Sequence, residues 1–211
     1  MRRASLVLVL LVWMLATTSI AAMEARILEI RVVGPAIRAS LDLRDVFSEK
    51  FLEVLKGGGP LHVRIHAELW EDRPVWDKLV RPAIVSGFRI SRDPGNHITV
   101  ADPFGIIASL PDHTTPIPLR IEVAPTSAVS DTARYYLKLV ATVGTIQQDE
   151  AADTGEAVFG GDDSTISVAR FGKLIFNTVV QVADYLQSVT TEVRTRAFTG
   201  SEVRSGLKNP Y

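Results

Sequence analysis

The segment Leu61-His-Val-Arg-Ile-His-Ala-Glu-Leu-Trp70 alternates without a break between apolar or small and polar or aromatic side chains. A period of two over ten residues specifies a β-strand buried on one face. Leu61, Val63, Ile65, Ala67 and Leu69 form its inward row, and His62, Arg64, His66, Glu68 and Trp70 its outward row. The same alternation recurs upstream, where Ile37, Ala39, Leu41 and Leu43 are interleaved with Arg38, Ser40, Asp42 and Arg44. Residues 25–33 are apolar and β-branched and stop at Gly34-Pro35. Residues 83–91 and 97–101 flank the turn Asp93-Pro94-Gly95-Asn96, which predicts a hairpin. Residues 119–123 and 135–146 add two more strands, and 104–110 reads as a short helix or an irregular crossing. Six to seven strands with turn signals at short intervals predict a mainly β fold, a β-sandwich or half-barrel.

Two segments carry a helical period. Phe47, Phe51 and Leu55 recur every four residues beside Leu52, which predicts one short helix capped by Asp45 and ended by a left-handed Gly57. Phe171, Ile175, Val179, Val182 and Leu186 predict a longer C-terminal helix over 164–196, whose end is open because the β-branched run Val189 to Val193 can fray or turn extended. Lys173, Gln181 and Asp184 interrupt it, so it does not read as a membrane span. Between them, 147–163 is acidic and rich in Ala and Gly, the composition of a flexible loop. Residues 197–211 read as a disordered tail.

The chain starts with Arg2-Arg3, an apolar run from Leu6 to Leu15 and the small residues Ala21-Ala22, the three parts of a signal peptide over residues 1–22. The organisation expected is therefore that leader, a β-rich domain over 23–146, the loop, the helix and the tail, in a periplasmic or secreted protein. The 211 residues include 23 Lys+Arg and 24 Asp+Glu, and without Arg2 and Arg3 the formal net charge falls to about −3. Such a balance gives no electrostatic case for nucleic acid. Zero cysteines exclude disulfides, thiolate metal sites, a thiol nucleophile and a lipidated N-terminal cysteine.

The outward row of the 61–70 strand is the richest in chemistry. Alternate residues stand about 6.6 Å apart, so His62 and His66 are too distant to share one ion. His66 and Glu68 reach a common ion only with a third ligand from elsewhere, with His97 or His113 as the candidates. The simpler reading is a polar sheet face with Arg64 and Glu68 paired across strands. Trp70, Asp72, Arg73, Trp76 and Asp77 cluster in sequence as aromatic and charged groups that can stack on and hydrogen-bond a sugar, or cover a sheet edge. Carboxylates such as Glu68, Asp72 or Asp77 can also hydrolyse a glycoside when a pair is correctly separated. No Gly-x-Ser-x-Gly or Ser-x-x-Lys nucleophile motif is present. Gly57-Gly58-Gly59-Pro60 lacks the Lys-Ser/Thr ending of a phosphate loop and reads as a helix cap and turn. The acidic loop lacks EF-hand spacing. No catalytic residue, no metal and no cofactor is expected. The binding candidates are His62, Arg64, His66, Glu68, Trp70, Arg73, Trp76 and Asp77.

Four stretches occur in a fixed order: Ser40-Leu-Asp-Leu43, Phe51-Leu-Glu-Val-Leu-Lys-Gly-Gly-Gly-Pro-Leu61, Glu68-Leu-Trp-Glu-Asp-Arg-Pro-Val-Trp-Asp77 and Tyr135-Tyr-Leu-Lys-Leu139. This arrangement over residues 25–146 resembles an uncharacterised family of exported bacterial proteins often encoded near a sensor histidine kinase. The resemblance implies an envelope protein and a link to signalling, and brings no catalytic residues with it. The function expected is an extracytoplasmic, non-enzymatic binding or interaction module, partnered by an envelope protein or signalling component, without nucleic acid and without a stable membrane span once the leader is removed. A small periplasmic glycan-binding protein or hydrolase is the alternative.

Overall fold

A computed structural model describes residues 22–145 and 187–211. The expected signal peptide short of Ala22, the expected flexible loop over 147–163, and 164–186 of the expected helix lie outside the described residues. The fold is mainly β, with two antiparallel sheets and two short helices.

The smaller sheet has the order β12-β1-β2-β8, formed by Leu207–Lys208, Glu24–Val33, Ala36–Arg44 and Ile117–Pro125. The larger runs β10-β9-β3-β5-β6-β7, formed by Gln187–Arg194, Arg134–Thr145, Leu61–Glu71, Ile84–Arg92, Ile98–Asp102 and Gly105–Leu110. Two short strands join it: β4 (Lys78–Leu79) on β3 and β11 (Phe198–Thr199) on β9. The alternation of the sequence decides what each strand buries. Leu61, Val63, Ile65, Ala67 and Leu69 of β3 meet Ala39, Leu41 and Leu43 of β2 in one hydrophobic core, each at most 1% exposed. That core also takes in Leu137, Leu139, Ala141 and Val143 of β9. Hydrophobic burial of this extent is the main favourable term in folding.

Helix α1 (Glu49–Lys56) packs Phe51 and Leu55 into the core. Its cap is Ser48, whose side chain accepts from the Phe51 amide, and not Asp45, which adopts a positive φ of 52° in the turn before it. The left-handed residue after the helix is Gly58, at φ 82°, and Gly57 remains right-handed. In the hairpin turn after β5 the positive φ likewise falls on Asn96, at 70°.

Three expectations are corrected. Residues 105–110 are β7, paired along β6, and neither a helix nor an irregular crossing. Residues 187–194, the end of the expected helix, are β10, hydrogen-bonded to β9 from Gln187↔Thr145 to Arg194↔Lys138. Their run of Ser, Val and Thr favours extended backbone, and the free edge of β9 supplies the ladder. The expected disordered tail is ordered: β11, helix α2 (Gly200–Ser205) and β12 bury Phe198, Val203 and Leu207. Twelve strands are therefore present among the described residues, against the six to seven expected.

The chain end is tied down by hydrogen bonds to β1. A bulge at Leu28 interrupts the β1–β2 ladder, and the Asn209 amide donates to the Leu28 carbonyl at 2.9 Å while the Ile27 amide donates to the Tyr211 hydroxyl. The bulge frees main-chain groups that would be costly to bury unpaired, and the last residues satisfy them. Helix α2 starts with a capping box: Thr199 accepts from the Glu202 amide and Glu202 accepts from the Thr199 amide. Gly200 lies against the Ser130 carbonyl so closely that a Cβ would collide with it.

Candidate functional site

The outward row of β3 lies in the middle of the larger sheet, flanked by β9 and β5. Register therefore decides each residue's neighbours. Trp70 stands opposite Tyr136, Glu68 opposite Lys138, His66 between Val140 and Val85, Arg64 between Thr142 and Gly87, and His62 between Gly144 and Arg89. The five side chains are half-buried in consequence.

The Trp70 end is the most organised. The Trp70 and Tyr136 rings are stacked, 5° from parallel with centroids 6.4 Å apart, and the Arg194 guanidinium sits 3.7 Å from the Tyr136 ring centroid. Trp70, Tyr136 and Arg194 so form a three-layer column, from β3, β9 and β10, held by π-stacking and a cation–π contact. The Trp70 indole Nε1 donates to Glu68 Oε2 at 2.9 Å. The Tyr136 hydroxyl donates to Asp77 Oδ2 at 2.9 Å, which ties the loop between β3 and β4 to the sheet. The base of that loop is held again by Asp72, whose amide donates to the Arg134 carbonyl and whose carboxylate pairs with the Arg134 guanidinium at 3.3 Å. Arg73 donates to Glu71 at 2.8 Å and keeps the Glu71 carboxyl below its ordinary range.

Above these anchors Val75 and Trp76 project into solvent, 76% and 81% exposed. With Pro74 and Leu79 they frame an open hollow of about 580 Å3.

The predicted residues thus divide. Glu68, Trp70, Arg73 and Asp77 gather at one end of the strand, Trp76 stands out from the loop above them, and His62, Arg64 and His66 lie further along. Among the described residues no three His, Asp or Glu side chains come close enough to hold an ion. His97 pairs with Asp93 in the turn between β5 and β6, and His66 has valines on both sides. The cross-strand neighbour of Glu68 is Lys138, as a polar sheet face requires, but Lys138 pairs with Glu192 at 3.3 Å and Glu68 accepts from Trp70 instead.

Sequence reading missed Tyr136 and Arg194. The alternation of 135–146 places Tyr136, Lys138 and Val140 on one face, so Tyr136 was accessible as a partner for Trp70. Arg194 was hidden by the helical reading of its segment.

Tyr136→Phe removes one hydrogen bond and keeps the stack. The expected cost is about 0.5–1.5 kcal/mol in urea denaturation at neutral pH. Burial, with the hydrogen bond to Asp77, raises the Tyr136 pKa above its ordinary 10. The folded state thus retains that proton longer than the unfolded chain, and its contribution to stability is present below pH 10 and lost as pH rises further. Tyr136→Phe should flatten that part of the alkaline stability profile, and a profile parallel to the wild type would refute the assignment.

Compared with known proteins, the chain matches no family model, no curated protein and no solved structure.

Proposed function

We propose that this protein is an extracytoplasmic, non-enzymatic binding module of the bacterial envelope, built as a β-sandwich, whose contact surface is the 72–77 loop above the Trp70–Tyr136–Arg194 column. The observation that carries the reading is the exposure of Val75 and Trp76 on a loop anchored at both ends. A large indole kept in water gives nothing to folding, whereas an aromatic held in place before contact loses little freedom on binding. Such anchors dominate protein–protein interfaces. The basic and apolar start of the chain supports the extracytoplasmic address. The resemblance to exported proteins encoded beside sensor kinases supports an envelope or signalling partner.

The candidate carboxylates favour binding over hydrolysis. Glu68 accepts from the Trp70 indole, Asp72 pairs with Arg134 and Asp77 accepts from Tyr136, so each is engaged with a different structural partner. Glycan binding is the second reading, favoured by the same exposed indole, since sugars stack on aromatic faces.

The test is quantitative affinity capture from envelope extract with the tagged protein and a Trp76→Ala variant. Trp76 is the cleaner probe, because Trp70 is packed into the column. One envelope protein enriched by the wild type and lost by the variant is the expected result. Identical captures would remove the loop from the proposal, and a glycan-array signal abolished by Trp76→Ala would replace the protein partner with a sugar.

A further inference from the structure

We propose a second binding site that shares no residue with the first: the cleft between the outer face of the four-stranded sheet and the β6–β7 hairpin takes a short extended peptide carrying an apolar side chain flanked by charges of both signs. The cleft encloses about 740 Å3, within the range of sites that bury most of a small ligand. It takes a few residues of chain and not a folded domain.

One side is a charged ladder. The register of β2 on β8 sets Arg38 opposite Glu122, Ser40 opposite Arg120 and Asp42 opposite Pro118. Among the described residues none of the four charged side chains forms an ion pair, although Arg38 and Glu122 face each other directly. Positive and negative groups are thus both open to a ligand that brings the complementary pair.

The other side is apolar and deliberately aimed. The β6–β7 ladder shifts register between Val100↔Ala108 and Ala101↔Ile106, which leaves Ile107 as an extra, unpaired residue. A bulge of this kind turns a side chain out of the pleat, and Ile107 lines the cleft at 43% exposure. At the hairpin tip, Asp102 Oδ1 accepts from the Phe104 and Gly105 amides at 2.8 and 3.1 Å, and Gly105 takes a φ of 144° that a side chain would strain. That turn holds Phe104 at the cleft mouth, 80% exposed.

β7 is the last strand of its sheet among the described residues, six residues long, with neither a charge nor a proline. The other long edges are guarded in the usual way, β8 by Pro118, Arg120 and Glu122, and β10 by Glu192 and Arg194. An unguarded edge beside a cleft of alternating side chains is the arrangement that accepts an added strand: main-chain hydrogen bonds give affinity and the ladder gives selectivity.

The test is selection from a random peptide library on the folded protein, followed by fluorescence anisotropy of the enriched peptides. The expected peptides carry an aliphatic or aromatic residue between basic and acidic ones. Ile107→Asp and Arg120→Glu should each weaken them about tenfold or more, while Trp76→Ala leaves them unchanged. Reversing the peptide's acidic residue should restore binding to Arg120→Glu. All three substituted residues are exposed, and melting curves verify folding. A folded protein that enriches no peptide, or peptides lost on Trp76→Ala and indifferent to the cleft variants, would overturn the proposal.

Discussion

Deleting residues 198–211 is expected to lower the melting temperature by roughly 10–30 °C or to abolish cooperative unfolding. The segment reads as dispensable from its Ser, Gly and charged content. Its structure says otherwise, because Phe198, Val203 and Leu207 are 2%, 0% and 7% exposed. Each buried side chain of this size contributes about 1.5–3 kcal/mol, so their joint loss is comparable to the whole stability of a typical domain. The loss also uncovers the groups around the β1 bulge that Asn209 and Tyr211 satisfy. For a chain of this length about 1 kcal/mol corresponds to 2–4 °C. A shorter deletion of 209–211 should cost less, since it removes hydrogen bonds and the buried Pro210 but leaves the three apolar side chains in place. Differential scanning calorimetry of both truncations separates the cases. An unchanged melt for the longer deletion would contradict the docking of the segment.

The second large effect is acid sensitivity at His62. The residue was named as a binding candidate on an exposed row, yet it lies half-buried opposite Arg89, and its Nδ1 is buried without a hydrogen-bond partner among the described residues. Desolvation, with the nearby Arg89 charge, lowers its pKa to about 4 from the ordinary 6.5. The folded state therefore holds a neutral imidazole in a window where the unfolded chain takes up a proton. This contribution to stability is fully present above pH 6.5 and is lost as pH falls towards 4, and integrated over that interval it amounts to about 3 kcal/mol. Urea denaturation at pH 7 and pH 4 should show His62→Leu losing less stability on acidification than the wild type by about that amount. Carboxylate protonation is common to both proteins and cancels in the comparison. Equal losses would mean that His62 titrates alike in the folded and unfolded chains.

The strands with one buried face were the legible part of this protein. In β2 and β3 each inward residue sits in the core at the position that alternation assigned, because a pleated strand offers only two faces and water selects between them. The outward residues were legible in place and not in role. His62 and Trp70 share one row, but the partner strands surround His62 with Gly144 and Arg89 and give Trp70 a tyrosine to stack on. Those differences come from β9 and β5, far away in sequence.

The C-terminal region shows the opposite limit. Thr199-Gly-Ser-Glu202 carries a capping box that could have announced α2, but a helix of six residues has no apolar stripe long enough to register as a period. β10 lies close behind an apolar run with helical spacing, and β11 and β12 are two residues each. Such short strands have no signal of their own and exist because an edge is available to pair with.

What the sequence determined by itself was the β class, the inward face of its longer strands, the presence of a short helix ending at Lys56 and the exclusion of every disulfide and thiol chemistry. Each of these depends on residue type and near-neighbour spacing. Tertiary structure alone decided the aromatic column, the desolvated histidine, the anchored loop under Trp76 and the cleft beside β7. These depend on which strands lie next to one another and on where a bulge shifts their register, and pairings between distant residues leave no trace in local periodicity.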